Sequence, residues 1–134
     1  MDYNLIKNWS FPEVDQTYTE NDSILYALGI GFGQEPTNPD HLKYVYEQGL
    51  QTFPTMAVVL GYPGFWMKDP KAGINWVKLV HGEQRMTIHR PLPPSGRVIG
   101  RSRISHVIDK GADKGALVIT ERTLHDAAGN LLIT

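Results

Sequence analysis

Apolar residues at helical spacing predict the first regular element of the chain. Thr19 has a side chain suited to a helix N-cap, and Asp22, three residues later, resembles the acidic partner of a capping box. Apolar positions then recur with the period of a helix at Ile24, Leu25 and Leu28. Glycines at positions 29, 31 and 33 predict that this helix ends there.

Two further apolar stretches lie in the middle of the chain. In residues 42–47, Tyr44 and Tyr46 alternate with Lys43 and Val45, a pattern that predicts a short strand. Residues 53–60 are mostly apolar, and Pro54 favours a short buried helix here, because proline is favourable in a first helical turn. A buried strand is the alternative for this stretch. Residues 61–73 are rich in glycine and proline and predict an irregular segment.

From Trp76 onward, the pattern indicates strands separated by turns. The four predicted strands are residues 85–89, 97–108, 116–124 and 131–134. Strands joined by short turns favour an antiparallel sheet, and a sheet with one face packed on a helix is an α+β fold. The last strand runs to Thr134 without a turn or a polar tail, so we expect the C-terminus to be truncated.

Composition and charge exclude several classes of function. The 134 residues, of which 41% are hydrophobic, suffice for one domain spanning residues 1–134. The net charge of -1 predicts neither a nucleic-acid nor a membrane partner. No cysteine is present, which excludes disulfides, thiol nucleophiles and Cys-ligated zinc. With no signal pattern and no long apolar run, we expect a cytoplasmic location.

The sequence contains no pattern typical of a metal or dinucleotide site. Three histidines are not at metal-ligand spacing: His89, His106 and His125. The glycines at positions 29, 31 and 33 end a helix, whereas the glycines of a dinucleotide fingerprint open one. Three arginines share one predicted strand: Arg97, Arg101 and Arg103. A solvated sheet face and a path for a phosphate are the two interpretations of these arginines.

Four short motifs occur in an order that resembles one known family. They are Tyr18-Thr19-Glu20-Asn21-Asp22 with Tyr26-Ala27-Leu28-Gly29; Pro54-Thr55-Met56-Ala57-Val58-Val59-Leu60-Gly61; His81-Gly82-Glu83-Gln84 with Arg90-Pro91-Leu92-Pro93; and Asp109-Lys110-Gly111. Together they resemble the N-terminal half of the hydratase-2, or MaoC-like, family of (3R)-specific enoyl-CoA hydratases. The resemblance covers the chain from about Tyr18 to its end.

The resemblance implies a hot-dog fold, in which a curved antiparallel sheet surrounds a reduced central helix. Complete enzymes of this family are tandems of two hot-dog folds, and the N-terminal half admits the acyl chain. Their catalytic Asp and His lie in the C-terminal half, in a Gly-Asp-x-Asn-Pro-x-His motif. Here Asn38-Pro39-Asp40-His41 lacks the preceding Gly-Asp, and His125-Asp126 has the reverse order without Asn-Pro. We therefore assign no catalytic residue to this chain.

The resemblance also implies substrate contacts. His81 and Gly82 match positions that contact the CoA ester, and glycine allows close approach of the backbone to a ligand. Lys110 matches a lysine that meets a CoA phosphate as a flexible point charge. The structural alternatives are a histidine with a local hydrogen bond and a solvated turn lysine. Three aromatic residues either line an acyl pocket or anchor their loop: Phe65, Trp66 and Trp76.

These features predict the acyl-chain-accommodating half of an enoyl-CoA hydratase, or 3-hydroxyacyl-CoA dehydratase, that acts on trans-2-enoyl-CoA. The CoA thioester is the substrate, and neither a cofactor nor a metal is expected. The expected partner is a catalytic hot-dog half in the same or another chain, and we expect oligomers because hot-dog sheets leave an edge open. The main alternative is a non-catalytic acyl-CoA-binding or structural subunit. A thioesterase is a weaker third hypothesis, because the motifs match hydratases.

Overall fold

A computed structural model describes all residues from Met1 to Thr134. It contains three α-helices: α1 (Tyr3–Lys7), α2 (Glu20–Gly29) and α3 (Pro39–Val45). Four strands form one sheet: β1 (Val14–Tyr18), β2 (Gly96–Asp109), β3 (Ala116–Asp126) and β4 (Leu131–Ile133). Four 3₁₀ helices lie between α3 and β2: Pro54–Val58, Trp66–Lys68, Pro70–Ala72 and Trp76–Lys78. The first of these, Pro54–Val58, is called the central helix below.

The sheet is antiparallel throughout, with the strand order β1-β2-β3-β4. β2 and β3 form a long hairpin in which Asp109 pairs with Ala116 at the turn and Val98 pairs with Asp126 at the other end. A bulge at Ser105 interrupts the register, and such bulges bend a strand and increase its twist. The predicted α+β arrangement with an antiparallel sheet is therefore confirmed.

The two faces of the sheet differ because side chains alternate along each strand. Val98, Ile104, Val107 and Leu124 are buried on one face, called the inner face below. The opposite, outer face of β2 carries three exposed arginines: Arg97, Arg101 and Arg103. The inner face therefore supplies the apolar core, and the outer face carries charge.

Two separate groups of buried residues cover the inner face. The first surrounds the central helix and consists of Tyr18, Met56, Ala57, Leu60, Leu92, Val98, Leu124, Leu132 and Ile133. The second joins α1 to the part of the sheet nearer the β2–β3 turn and consists of Ile6, Ala72, Ile104 and Val107. The inner face is thus covered by two short helices in different places, instead of by one long helix.

The five-residue α1 is held in place by packing. A helix this short is unstable alone, because nucleation costs more than a single turn returns. Ile6 is completely buried against the sheet, and full burial of an isoleucine side chain stabilises by about 1.5–3 kcal/mol. The Lys7 ammonium also donates to the Ser105 carbonyl at the bulge. α1 therefore depends on the sheet beneath it.

The predicted start of α2 is confirmed. Thr19 is the N-cap, and its hydroxyl accepts a hydrogen bond from the Asp22 N–H at 3.3 Å. The Asp22 carboxylate in turn accepts from the Thr19 N–H at 2.7 Å, which completes the capping box. Helix α2 ends at Gly29, as the glycines predict.

Acid is expected to remove the stabilisation that Asp22 contributes. The Thr19 backbone N–H and hydroxyl donate to the Asp22 carboxylate and hold its pKa below the ordinary value. A lowered pKa in the folded state stabilises the protein above the unfolded pKa of about 3.9 and loses that effect as pH falls through the folded value. We expect the thermal midpoints of wild type and Asp22→Asn to differ at neutral pH and to converge in acid.

Differential scanning calorimetry over a pH series checks this expectation. Asp113→Asn is the matched control, because Asp113 lies in the exposed β2–β3 turn and makes no side-chain hydrogen bond. Its thermal midpoint should follow that of wild type at every pH. A constant difference between wild type and Asp22→Asn down to strongly acidic pH would contradict the assignment.

The strand predicted for residues 42–47 is wrong, because α3 occupies Pro39–Val45. The Asn38 side chain caps this helix by accepting from the Asp40 N–H at 2.9 Å, and Pro39 fits the first turn. Tyr44 packs against Phe32 and Phe53 in an aromatic cluster. The capping signal just before the segment, and not the tyrosine alternation, decides the structure here.

The strand predicted for residues 85–89 is reduced to a single bridge between Ile88 and Ile133. The Thr87 N–H donates to the Thr134 carbonyl at 2.8 Å, so this segment runs beside β4 without extended pairing. The buried helix favoured for residues 53–60 is confirmed, in 3₁₀ form, and the strand alternative is wrong. Two elements, α1 and β1, were not predicted from the sequence.

Candidate functional site

A polar row crosses the inner face between its two apolar groups. Ser102 and Arg122 are directly paired on β2 and β3, and Thr120 is the next inward-facing residue of β3. Thr120 is exposed, so neither the central helix nor α1 covers the sheet at this position. The gap between the central helix and α1 is therefore the part of the inner face that is open to a ligand.

Arg122 connects the polar row to the central helix. Its guanidinium donates a hydrogen bond to the Val58 carbonyl at the end of that helix and lies over the Tyr62 ring, 5.6 Å from the ring centroid. Burial lowers the pKa of Arg122. Tyr62 and Val59 are both about half exposed, so the border of the gap includes accessible apolar surface.

Two glycines bring the segment after the central helix into backbone contact with β2. A Cβ atom on Gly100 would lie 2.7 Å from the Gly61 Cα, which is closer than real Cβ contacts allow. The Gly61 N–H donates to the side-chain oxygen of Gln16 on β1 at 2.7 Å. Gly61 also has a φ of 58°, which favours glycine. This contact fixes where the central helix ends and where the gap begins.

His81 and Gly82 lie in an exposed segment without regular secondary structure. The segment follows the 3₁₀ helix Trp76–Lys78 and precedes the bridge at Ile88. The His81 ring makes no hydrogen bond within the chain. Two apolar residues that precede His81 in this segment, Val77 and Val80, are 74% and 85% exposed.

The turn that follows this segment is anchored by hydroxyl groups. The Tyr18 and Thr52 hydroxyls donate to the Pro93 carbonyl at 2.8 and 2.7 Å, and the Ser23 hydroxyl donates to the Pro94 carbonyl at 2.7 Å. Burial raises the pKa of Tyr18 to about 12. The Arg90-Pro91-Leu92-Pro93 motif is therefore tied to β1 and α2 at a fixed position.

Lys110 lies at the tip of the β2–β3 hairpin. Its N–H donates to the Gly115 carbonyl at 2.9 Å, and the Asp109 carboxylate accepts from the Gly111 N–H at 2.8 Å. The Lys110 ammonium itself makes no hydrogen bond or ion pair. No hydrogen bond or ion pair joins Lys110 to His81 or Gly82, so the three candidate residues do not form one contact cluster in this chain.

The aromatic residues divide into an anchor and an exposed pair. Trp66 packs against Trp9 and Phe11, with ring centroids 5.0 and 5.4 Å apart, so Trp66 anchors its loop to the N-terminal segment. Phe65 and Trp76 contact each other edge-on at 6.3 Å and remain about two-fifths exposed. Phe65 and Trp76 are therefore accessible at the surface, whereas Trp66 packs beside the Ile104 group on the inner face.

The three outer-face arginines form ion pairs with carboxylates. Arg101 Nε lies 2.7 Å from Glu13, Arg103 Nε lies 2.7 Å from Glu121, and Arg97 pairs with Asp15. The interpretation as a solvated sheet face therefore fits this arrangement. Arg122 was not among the residues predicted from the sequence. Arg122 and the apolar Leu124 are two positions apart on β3, and this spacing places both side chains on the same face.

No group of three or more His, Asp or Glu side chains is arranged to hold a metal ion. No helix has the length and apolar character needed to cross a bilayer. The buried Nδ1 of His125 has no hydrogen-bond partner. His125 lies on β3 between Leu124 and Asp126 and belongs to no such group.

Comparison with known proteins identifies the family. Residues 16–134 match the family model described as the MFE-2 hydratase 2 N-terminal domain. The chain is 35% identical over 144 residues to "Enoyl-CoA hydratase 2, peroxisomal" of Arabidopsis thaliana, covering 96% of this chain and 44% of that protein. It is 32% identical over 139 residues to enoyl-CoA hydratase ChsH3 of Mycobacterium tuberculosis, covering 100% of this chain and 48% of that protein.

A solved structure is similar over almost the whole chain. The crystal structure of a MaoC-like dehydratase from Phytophthora capsici superposes with a TM-score of 0.77 at 29% sequence identity, covering 99% of this chain and 46% of that one. The expected hot-dog fold is thereby confirmed. The chain spans less than half the length of each of these three proteins. By its family match and its fold, the chain belongs to the MFE-2 hydratase 2 N-terminal domain family.

Proposed function

We propose that this chain is the acyl-chain-accommodating half of an enoyl-CoA hydratase, or 3-hydroxyacyl-CoA dehydratase, that adds water to trans-2-enoyl-CoA. The observation that supports this proposal most is the inner face, which two short helices leave open between them at Thr120. The names of the relatives, which are enoyl-CoA hydratases, agree with it. The CoA thioester is the substrate, and the reaction needs no cofactor.

Hydration requires acid–base side chains, which the family carries in a Gly-Asp-x-Asn-Pro-x-His motif that this chain lacks. Hydration needs a base to activate water and an acid to protonate the α carbon, and donors aimed at the thioester oxygen stabilise the charge that develops there. A catalytic hot-dog half, in the same or another chain, would supply these groups. The alternative remains a non-catalytic acyl-CoA-binding or structural subunit. For either function we propose a cytoplasmic location, or a peroxisomal one in a eukaryote, as the names of peroxisomal relatives suggest.

Two surfaces support the need for a partner. β4 pairs with β3 at Leu124 and His125, and on the side of β3 away from β2 no other strand among residues 1–134 lies beside Ala116 to Thr123. Unpaired strand edges favour association with another chain or domain. The exposed Val77 and Val80 add an apolar surface in the segment that carries His81.

Acyl-chain placement is tested with a saturated acyl-CoA that carries bromine on its distal carbons. Bromine quenches tryptophan fluorescence at short range, and Trp66 lies beside the open part of the inner face through its contact with the Ile104 group. We expect the brominated acyl-CoA to quench the tryptophan fluorescence of Trp76→Phe as strongly as that of wild type. Quenching that disappears with Trp76 would place the chain on the exterior and contradict the proposal.

Lys110→Ala is expected to weaken binding of a CoA thioester, because Lys110 matches the family lysine near a CoA phosphate and its ammonium is unpaired. One exposed contact of this kind contributes about 0.2–1 kcal/mol and fades as salt screens it. His106→Ala is the control, since His106 is exposed on the outer face of the preceding strand. Calorimetric titration with the catalytic half present, at low and high salt, decides. Equal affinities at low salt would leave Lys110 as a solvated turn residue.

A further inference from the structure

Arg122 differs from the other three arginines of the sheet in having no acidic partner. The three on the outer face each pair with a carboxylate: Arg97, Arg101 and Arg103. Arg122 faces inward, and no carboxylate forms an ion pair with it. Its guanidinium donates to the Val58 carbonyl, and the remaining N–H groups have no acceptor within the protein. A partly desolvated cation thus stands with most of its donors unused.

Two hydroxyl groups stand next to this cation on the same face. Ser102 is the direct cross-strand neighbour of Arg122, and Thr120 is the next inward-facing residue along β3. Neither hydroxyl makes a hydrogen bond to another protein group, and Thr120 is exposed. Three side chains with free donors are therefore neighbours on the inner face, at the border of the two apolar groups.

The partly buried positive charge of Arg122 favours the binding of an anionic oxygen ligand. Desolvation of a charged group costs free energy unless an opposite charge or hydrogen bonds compensate. Burial lowers the pKa of Arg122, and the Tyr62 phenol offsets this effect only in part. The planar guanidinium fork matches the two oxygens of a carboxylate or phosphate. A hydroxyl on either side adds a donor that such an oxygen can accept.

We propose that Arg122, Ser102 and Thr120 form an anion subsite that binds a carboxylate or phosphate oxygen of the acyl-CoA. The proposal rests on the proposed function for the identity of the ligand. Two parts of such a ligand carry this chemistry. One is a carboxylate at the far end of the acyl chain, and the other is a phosphate of the CoA moiety.

The test compares adipoyl-CoA with hexanoyl-CoA, which differ only in whether the chain ends in a carboxylate or a methyl group. Binding to the chain is measured by calorimetry for wild type, Arg122→Gln and Thr120→Val. Glutamine keeps an N–H donor for the Val58 carbonyl but removes the charge. Thr120→Val leaves the central helix untouched, so the proposal stays testable even when Arg122→Gln unfolds. Arg103→Gln, on the outer face, is the matched control.

If the subsite binds a carboxylate at the far end of the acyl chain, wild type should bind adipoyl-CoA about tenfold more tightly than hexanoyl-CoA. This is the effect of one hydrogen bond to a charged group. Arg122→Gln should abolish that preference, Thr120→Val should reduce it, and Arg103→Gln should keep it. If the subsite binds a CoA phosphate instead, Arg122→Gln should weaken the binding of both thioesters equally. Affinities for both thioesters that are unchanged in Arg122→Gln and Thr120→Val would overturn the subsite while leaving the proposed function intact.

Direct observation of the Arg122 Nε–H resonance separates failure of the subsite from failure of the proposed function. Free adipate and inorganic pyrophosphate are titrated into the labelled chain, and the resonance is assigned by its loss in Arg122→Gln. A saturable shift with either anion, together with no binding of any acyl-CoA, would support the subsite and contradict the proposed function. No shift with either anion and no acyl-CoA binding would overturn both.

Discussion

The purified chain is expected to leave crotonyl-CoA unhydrated. The sequence lacks the Gly-Asp-x-Asn-Pro-x-His motif, and the residues nearest to it in pattern lie apart in the fold: His41 in α3 and His125 in β3. His41 accepts from the Gly33 N–H at 3.2 Å and so already has a structural role. Each missing acid–base group typically costs about 10²–10⁴-fold in rate, so loss of the pair should leave no measurable turnover.

Loss of enoyl absorbance measures this reaction directly. The matched control is the same preparation mixed with a hot-dog half that carries the catalytic motif, in which hydration should appear. A mock purification from cells without the chain controls for contaminating hydratase. Turnover by the chain alone, at a specific activity that stays constant through successive purification steps, would show that another set of residues performs the chemistry.

Gly100→Ala is expected to destabilise the fold strongly. The new methyl group would lie 2.7 Å from the Gly61 Cα and 2.9 Å from the Gly61 carbonyl carbon, and both obstacles are backbone atoms. Backbone cannot rotate away as a side chain can, so the central helix must lift from β2. Overpacking typically costs about 1–3 kcal/mol, and we expect this variant to lie at the upper end of that range because both obstacles are backbone. The hydrogen bond from Gly61 to Gln16 and the contact of Arg122 with Val58 should weaken together.

Chemical denaturation of wild type and variant measures this difference in the free energy of unfolding. Gly29→Ala is the matched control, because a Cβ atom there meets nothing within 4 Å and Gly29 is the last residue of a helix. That change should be neutral or stabilise slightly, as alanine restricts the unfolded chain more than glycine does. A stability of Gly100→Ala within experimental error of wild type would mean that the central helix does not approach β2 as described.

Local signals in the sequence predicted the elements whose structure is fixed by nearby residues. The Thr19–Asp22 capping box, the β2–β3 turn and the Pro54 start of the central helix depend on contacts within a few residues, and each was predicted. The segment at Pro39–Val45 also has a local cap at Asn38, but its alternating tyrosines predict a strand where the structure has a helix.

Long-range contacts decided the elements that the sequence did not predict. α1 is too short to be stable without the sheet, and β1 is recognisable only from its pairing with β2. Residues 85–89 alternate as a strand does, yet they lie beside a β4 of only three residues and form one bridge. In each case the deciding free energy comes from partners distant in the chain.

The candidate site shows the same division between sequence and tertiary structure. The sequence by itself determined the family resemblance, the absence of the catalytic motif and the candidate contacts His81, Gly82 and Lys110, because motifs are written in consecutive residues. Only the tertiary structure decided that Arg122 lies opposite Ser102 and has no ion-pair partner. The register of β2 and β3 determines which residues are cross-strand neighbours. Burial and charge neutralisation are set by how distant segments pack, and no local pattern contains that information.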